Sequence, residues 1–221
     1  MSSHGVIFDM DGVIVASGPA HAASWRIVAK KAGYEVSQAD FLKHFGRPSR
    51  DIVREIWGAD ISDDEVRRID DAKELAYRQL VTGMVPLTIG IRETLASLRE
   101  AGIRIAIGTS GPRENVELVL RESRLEPLFD AVVTGFDVRH GKPAPDCFLL
   151  AADRLGLPPK ACVVVEDAPV GIQAARAAGI KCIGLIGTHP AQALESAGCD
   201  ALVGKLTEIT PTLVGRLVEG D

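Results

Sequence analysis

The sequence predicts an α/β fold: a doubly wound parallel sheet that carries an inserted all-helical segment. Three observations lead there. Short apolar runs rich in β-branched residues, each bounded by Gly, Asp or Pro, read as strands covered on both faces. Helical patterns alternate with these runs, as in a parallel sheet with helices on either side. The alternation lapses once, from residue 17 to about 85, where the chain is rich in Ala, Arg, Asp and Glu and offers no convincing strand.

The first strand is the run Val6-Ile7-Phe8. After it the spacing predicts helices near 19–33, 38–45, 49–57 and 63–81, and Val85-Pro86-Leu87-Thr88 reads as the return path and a hinge. Ile91, Leu95 and Leu98 mark the apolar face of a helix over 91–101, which Gly102 stops. A strand follows at 103–107. Pro112 opens a helix over 112–122 whose apolar side is Val116, Val119 and Leu120. Runs at 131–133, 162–165 and 182–186 supply further strands, with helices over 145–155 and 169–178 between them; Gly179 ends the second. The expected organisation is an α/β core of residues 1–15 and 88–221 and a helical domain of residues 16–87.

The composition belongs to an ordinary globular chain: of 221 residues, 46% are apolar and 25% charged, enough to bury a core without disulfides or a structural metal. The net charge of −5 is spread in both signs, so no basic stripe marks a nucleic-acid footprint. No basic-then-apolar leader opens the chain and no apolar stretch is long enough to span a bilayer. A cytoplasmic protein with no membrane or nucleic-acid partner is expected, as a monomer or weak homodimer. Cys147, Cys162, Cys182 and Cys199 fall in no zinc-type spacing and read as buried free thiols.

Four segments carry chemistry. Phe8-Asp9-Met10-Asp11-Gly12-Val13 closes the first strand. Two carboxylates two residues apart at such a point are costly unless a cation neutralises them. In an open α/β sheet that end is where ligands bind, and Mg²⁺ suits clustered carboxylate oxygens. Gly108-Thr109-Ser110-Gly111 offers a hydroxyl and exposed N–H groups before a helix, either a phosphate cradle or a plain N-cap. In His140-Gly141-Lys142-Pro143 a lysine is fixed on a loop placed after the fourth strand. It balances a phosphate and an aspartate, or is an ordinary exposed lysine. Val163-Val164-Val165-Glu166-Asp167-Ala168-Pro169 again ends a strand in two acids, which calls for a cation or exploits the helix dipole that follows.

Together these strand ends supply a nucleophile, an acid/base, phosphate donors, a cation and metal ligands. The order Asp-x-Asp, Thr/Ser, Lys, Glu-Asp resembles the haloacid dehalogenase (HAD) superfamily over essentially the whole chain, and the helical insert resembles that family's C1 cap. FDMDGVI, GKPAPD and VEDAPVGIQAARAAG resemble most the β-phosphoglucomutase and sugar-phosphate phosphatase branch. The resemblance implies a Mg²⁺-dependent phosphomonoester hydrolase acting on a small phosphorylated metabolite, a sugar or polyol phosphate. It implies Asp9 as nucleophile and metal ligand, and Asp11 as general acid/base with its backbone carbonyl on the metal. Thr109, Ser110 and Gly111 would hold the phosphoryl oxygens, and Lys142 would neutralise charge. Asp167 would ligate Mg²⁺, with Glu166 beside it or acting through water.

In the insert, His21, Arg50 and Lys73 fall where mutases of this branch place hinge and substrate-contacting residues, and 46–50 resembles the cap loop that reaches the active site. Closure is expected to bring Arg50 and Lys73 over the leaving group. Two positions depart from the branch pattern DGVIVDSEPLH: its acidic residues are Ala16 and Gly18 here, at the junction of core and insert. Rival readings are a hexose-phosphate mutase on the same core, a dehalogenase, which would have no use for Asp11 and Asp167 together, and a catalytically silent binding protein.

Overall fold

The structure, a computed structural model, describes residues 4–37, 44–47, 49–58 and 60–220. Six strands form one sheet: β1 (Gly5–Phe8), β2 (Arg104–Gly108), β3 (Ala131–Val133), β4 (Cys162–Glu166), β5 (Lys181–Leu185) and β6 (Ala201–Val203). Their order is β3-β2-β1-β4-β5-β6 and all pairings are parallel. Among the described residues the helices are α1 (Gly18–Lys31), α2 (Ser49–Trp57), α3 (Asp63–Val81), α4 (Ile91–Glu100), α5 (Arg113–Ser123), α6 (Asp146–Arg154), α7 (Pro169–Ala177), α8 (Ala191–Ala197) and α9 (Pro211–Glu219).

The two-residue repeat of a strand makes the sheet two-sided. Val6 and Phe8 of β1, with Ile105, Ile107, Val163 and Val165, pack under Leu95 and Leu98 of α4 and Val119 of α5. Ile7, Ala106 and Val164 face the other way, onto Phe148 and Ala151 of α6 and Ile172 of α7. Nearly every one of these side chains is fully buried, as a doubly wound sheet requires.

The helical insert has a cluster of its own, in which Trp25 and Val28 of α1 meet Ile52 and Val53 of α2 and Val66 and Ile69 of α3. The last turns of α3 leave that cluster and bring Tyr77 and Val81 against Leu118 of α5. The two connections to the sheet do not run separately. Val15 bridges to Leu87, Ala16 N donates to Pro86 O at 2.8 Å, and Thr88 N donates to Ile14 O at 3.0 Å. The departing and returning chains are thus stitched into one short antiparallel ribbon.

The expected strands and helices are found within one or two residues of their predicted ends. The sequence reading places no element after Ile186 and so misses β6, α8 and α9. Most of the helix expected near 38–45 lies outside the described residues, as does Pro48 of the 46–50 loop. Cys147, Cys162 and Cys182 are buried free thiols and Cys199 is partly exposed. No helix among the described residues is long and apolar enough to cross a membrane.

Candidate active site

The central strand β1 pairs with β2 on one side and β4 on the other, so the chain order reverses there. The carboxyl ends around such a switch point form a crevice. Asp9 follows β1, Thr109 follows β2, Glu166 is the last residue of β4 and Asp167 comes next. The lysine loop follows β3, not the fourth strand as the sequence reading had it; β3 is the third strand in the chain and α6 comes after the loop.

Lys142 is buried, and its Nζ donates to Asp9 Oδ1 at 2.7 Å and to Glu166 Oε1 at 2.6 Å. It also lies 4.6 Å from the centre of the Phe148 ring. The exposed-lysine alternative therefore fails. Glu166 uses its second oxygen too, accepting from the N–H groups of Asp167 at 3.0 Å and Ala168 at 3.1 Å. Both its oxygens being engaged, Glu166 is first of all a bracket for Lys142.

Asp9, Glu166 and Asp167 are all buried, and one oxygen from each lies within 4.8 Å of the others. One ammonium cannot balance three carboxylates. Burial pushes the Asp9 carboxyl up to about 7 against the pull of Lys142, with Glu166 and Asp11 adding to the rise. Burial likewise pushes Asp167 well above the usual carboxylate range, helped by Glu166 and Asp9. Thr188 hydrogen-bonds the Asp167 carboxylate, but among the described residues its buried Oδ2 has no hydrogen-bond partner. An uncompensated oxygen of this kind fits a hard divalent cation held by Asp9 and Asp167. Gly12 is what allows the approach: its φ is +85°, and a Cβ there would stand 1.8 Å from Asp167 Oδ2.

On the other flank, the Thr109 hydroxyl accepts from Gly111 N at 3.0 Å. The N-cap of α5 is Pro112, which makes no side-chain cap bond, so the plain-cap alternative for Thr109 and Ser110 is not what the chain does. Gly111 leaves open the space between Thr109 Oγ1 and Asp11 Oδ2, which lie 3.4 and 3.6 Å from where its Cβ would be. The hydroxyl, the loop and one Asp11 oxygen face a common spot.

The second Asp11 oxygen is held by the insert. Oδ1 accepts from Ser17 Oγ at 2.6 Å and pairs with His21 Nε2 at 2.9 Å. Lys73 Nζ lies 2.9 Å from His21 Nδ1. An ammonium can only donate, so Nδ1 is the acceptor and the Nε2–H points at Asp11. Burial works against ionisation of Asp11, but His21, Ser17 and Lys73 hold its carboxyl below the usual range. Lys73 also donates to Glu74 Oε1 at 2.8 Å, and Glu74 accepts from Ser49 Oγ at 2.6 Å and Asn115 Nδ2 at 2.7 Å. The chain of contacts thus runs from Asp11 through the insert and back to α5. It borders a cavity of about 50 Å³ whose walls include Asp9, Asp11, His21, Lys73, Thr109 and Ser110. Ser110 Oγ closes one side by donating to Gly46 O at 2.9 Å.

The structure therefore gathers Asp9, Asp11, Thr109, Ser110, Gly111, Lys142, Glu166, Asp167, His21 and Lys73. Lys73 lines the cavity, with its ammonium buried on His21 and Glu74. Arg50 is not among the residues bordering that cavity. It reaches the loop after β3 instead, donating to Gly135 O at 3.2 Å.

The sequence from residue 4 to 179 matches the model of the haloacid dehalogenase-like hydrolases. The chain belongs to that family. Among relatives of the HAD-like chain, fructose-1-phosphate phosphatase YqaB of Escherichia coli (strain K12) is 36% identical over 81% of this chain and 94% of its own. Validoxylamine A 7'-phosphate phosphatase of Streptomyces hygroscopicus subsp. limoneus is 32% identical over 92% and 94%. A β-phosphoglucomutase structure from Clostridium difficile superposes with a TM-score of 0.88 over 99% of this chain and 98% of its own, at 22% identity, a likeness of fold.

Sequence reasoning overlooked four residues of the candidate site. Ser17 lies in the segment of the two pattern departures and carried no separate signal. Tyr77 stacks flat on the His21 ring, with centroids 4.0 Å apart and planes at 3°. Its spacing of four from Lys73 along α3 could have placed it on the same face. Glu74 and Asn115 are 41 residues apart in the chain and meet only through the fold.

Proposed function

We propose that this HAD-like hydrolase is a Mg²⁺-dependent phosphatase of sugar or polyol phosphates that works through an aspartyl-phosphate on Asp9. The observation that carries the reading is Lys142, buried between Asp9 and Glu166 beside an unpartnered Asp167 oxygen. Such an arrangement needs a cation and suits a dianionic phosphoryl group.

Asp9 Oδ attacks phosphorus, and the bond from phosphorus to the leaving oxygen breaks. Asp11, whose carboxyl His21, Ser17 and Lys73 hold below the usual range, takes up a proton as the negatively charged phosphoryl group binds beside it, and gives that proton to the leaving oxygen through the carboxyl oxygen facing Thr109 and Gly111. A water then attacks the phosphorus of the acyl phosphate, Asp11 takes the water's proton, and Asp9 and inorganic phosphate are released. Thr109 and the loop N–H groups hold the non-bridging oxygens, and Lys142 offsets charge on both the nucleophile and the transferring group. Asp9 and Asp167, with the Asp11 main-chain carbonyl, would hold Mg²⁺, which would supply further charge neutralisation there.

The helical segment acts as a cap. A cavity of about 50 Å³ has no room for a sugar, so the cap opens to admit substrate and closes to exclude water. The names of the phosphatase relatives support a carbohydrate-like leaving group. The deciding experiment is a screen of phosphorylated metabolites with Mg²⁺ that follows free phosphate and isomerised sugar phosphate together. Phosphate release without isomer bears out the phosphatase; isomer in excess of phosphate makes the protein a mutase; neither product from any ester leaves a binding protein on a HAD scaffold.

A further inference from the structure

Phe136 is a large apolar side chain left 64% exposed on the loop after β3. Among the described residues it belongs to no hydrophobic cluster, yet its loop is firmly built. The Asp137 carboxylate accepts from Thr134 N at 2.8 Å, Thr134 Oγ1 at 2.6 Å and Arg154 at 2.9 Å. Gly135 N donates to Gly111 O at 3.1 Å, and a Cβ on Gly135 would stand 2.3 Å from Ser110 O. The loop is thereby pressed against the phosphate-facing segment Thr109–Gly111, and Phe136 is presented at a fixed distance from it. What meets Phe136 is Arg50: the guanidinium carbon lies 5.3 Å from the ring centre while one of its nitrogens donates to Gly135 O. The two side chains border a second small cavity with Ser49, Asp70, Glu74 and Ser110. Three of those, Ser49, Glu74 and Ser110, also border the cavity of Asp9 and Asp11. The two cavities are thus neighbours, with Arg50 on the far side of Ser49 and Ser110.

We propose that Phe136 is a positioning residue: its ring is the plate on which the cap arginine docks, and it sets Arg50 at the far end of a hydroxyl-rich leaving group. The proposal rests on the phosphatase reading for its substrate and on the ring–guanidinium contact for its geometry. A guanidinium over an aromatic face is held by the ring's quadrupole as well as by area, so an aliphatic side chain of similar volume does not replace it and a tryptophan does.

The test is steady-state kinetics of Phe136→Leu and Phe136→Trp with fructose 1-phosphate and with p-nitrophenyl phosphate, which lacks a polyol. Phe136→Leu should raise KM for fructose 1-phosphate about three- to fivefold with kcat little changed. It should leave the KM of p-nitrophenyl phosphate alone, and Phe136→Trp should match or better the wild type. In an Arg50→Ala background Phe136→Leu should add nothing. A KM unchanged by Phe136→Leu, an equal rise for both esters, or full additivity with Arg50→Ala would each overturn the proposal. A thermal double-mutant cycle on the same variants reads the Arg50–Phe136 coupling without any substrate. If fructose 1-phosphate is not turned over, that cycle decides: non-additivity sustains the contact and simple additivity removes it. Absence of phosphate release from every ester by the wild type would instead strike at the phosphatase reading.

Discussion

His21 holds Asp11 from the insert side: its Nε2 lies 2.9 Å from Asp11 Oδ1, while its other nitrogen meets Lys73. The Asp11 carboxylate at the end of β1 is therefore oriented by a helix of the insert. We propose that Lys73, through His21, tunes that carboxylate. Lys73→Met should lower kcat for a sugar phosphate and for p-nitrophenyl phosphate alike, by about ten- to a hundredfold, a part of the roughly hundred- to ten-thousandfold that general acid–base assistance supplies. Arg50→Ala should mainly raise KM for the sugar phosphate. A Lys73→Met defect confined to KM of the larger ester would return Lys73 to leaving-group recognition.

Asp9→Asn should abolish turnover, by at least about a thousandfold, because no other group can form the covalent intermediate. The circular dichroism spectrum should match that of the wild type, since removing one of three crowded carboxylates relieves repulsion. Residual activity above that level would dismiss Asp9 as nucleophile.

Chelation is the next expectation. EDTA should stop phosphate release and added Mg²⁺ should restore it. Ca²⁺ should inhibit, since its looser and higher coordination displaces Asp9 from phosphorus. Full activity after exhaustive chelation would separate Asp167 from any metal role.

Asp70 gives a prediction on stability and pH. Burial, with Glu74 nearby, raises its carboxyl to about 6 from an ordinary 3.8, against the pull of Lys73 and Arg50. A raised folded-state value means the folded chain holds the proton more tightly than the unfolded one. The associated stability is present below pH 3.8 and is lost as pH rises through about 6. Asp70→Asn should therefore be more stable than wild type at pH 7 by about 1–2 kcal/mol, a rise of a few degrees in Tm. The two melting curves should converge near pH 4. A gain that persists unchanged at pH 4 would point to hydrogen bonding of the new amide instead of relief of charge.

The sheet and the chemistry at its carboxyl ends were legible in the sequence because each rests on local pattern. A run such as Val163-Val164-Val165 cannot be solvated comfortably, and acids placed directly after it need a partner. Lys142 could be named for the same reason, although its bond to Asp9 spans 133 positions. The contacts of the insert were not legible in this way. Arg50 and Lys73 are both cations on amphipathic helices, and nothing in their spacing says that one is buried on His21 and the other laid on Phe136. Those outcomes depend on how the insert seats on the sheet, which a helical period does not encode. Asn115 looks like any polar residue of α5 until Glu74 is brought to it.

The ribbon at Val15 and Leu87 has a consequence for how such a protein can change over time. The chain leaves the sheet and comes back at one hydrogen-bonded pair. For a chain pinned at such a neck, doubling the length between the pinned ends costs only about 0.6 kcal/mol of closure entropy. Lineages can therefore lengthen, trim or replace the helices beyond the neck while β1 and its neighbours keep their register. The helices can change on one side of Val15 while the carboxyl ends of the sheet stay as they are on the other.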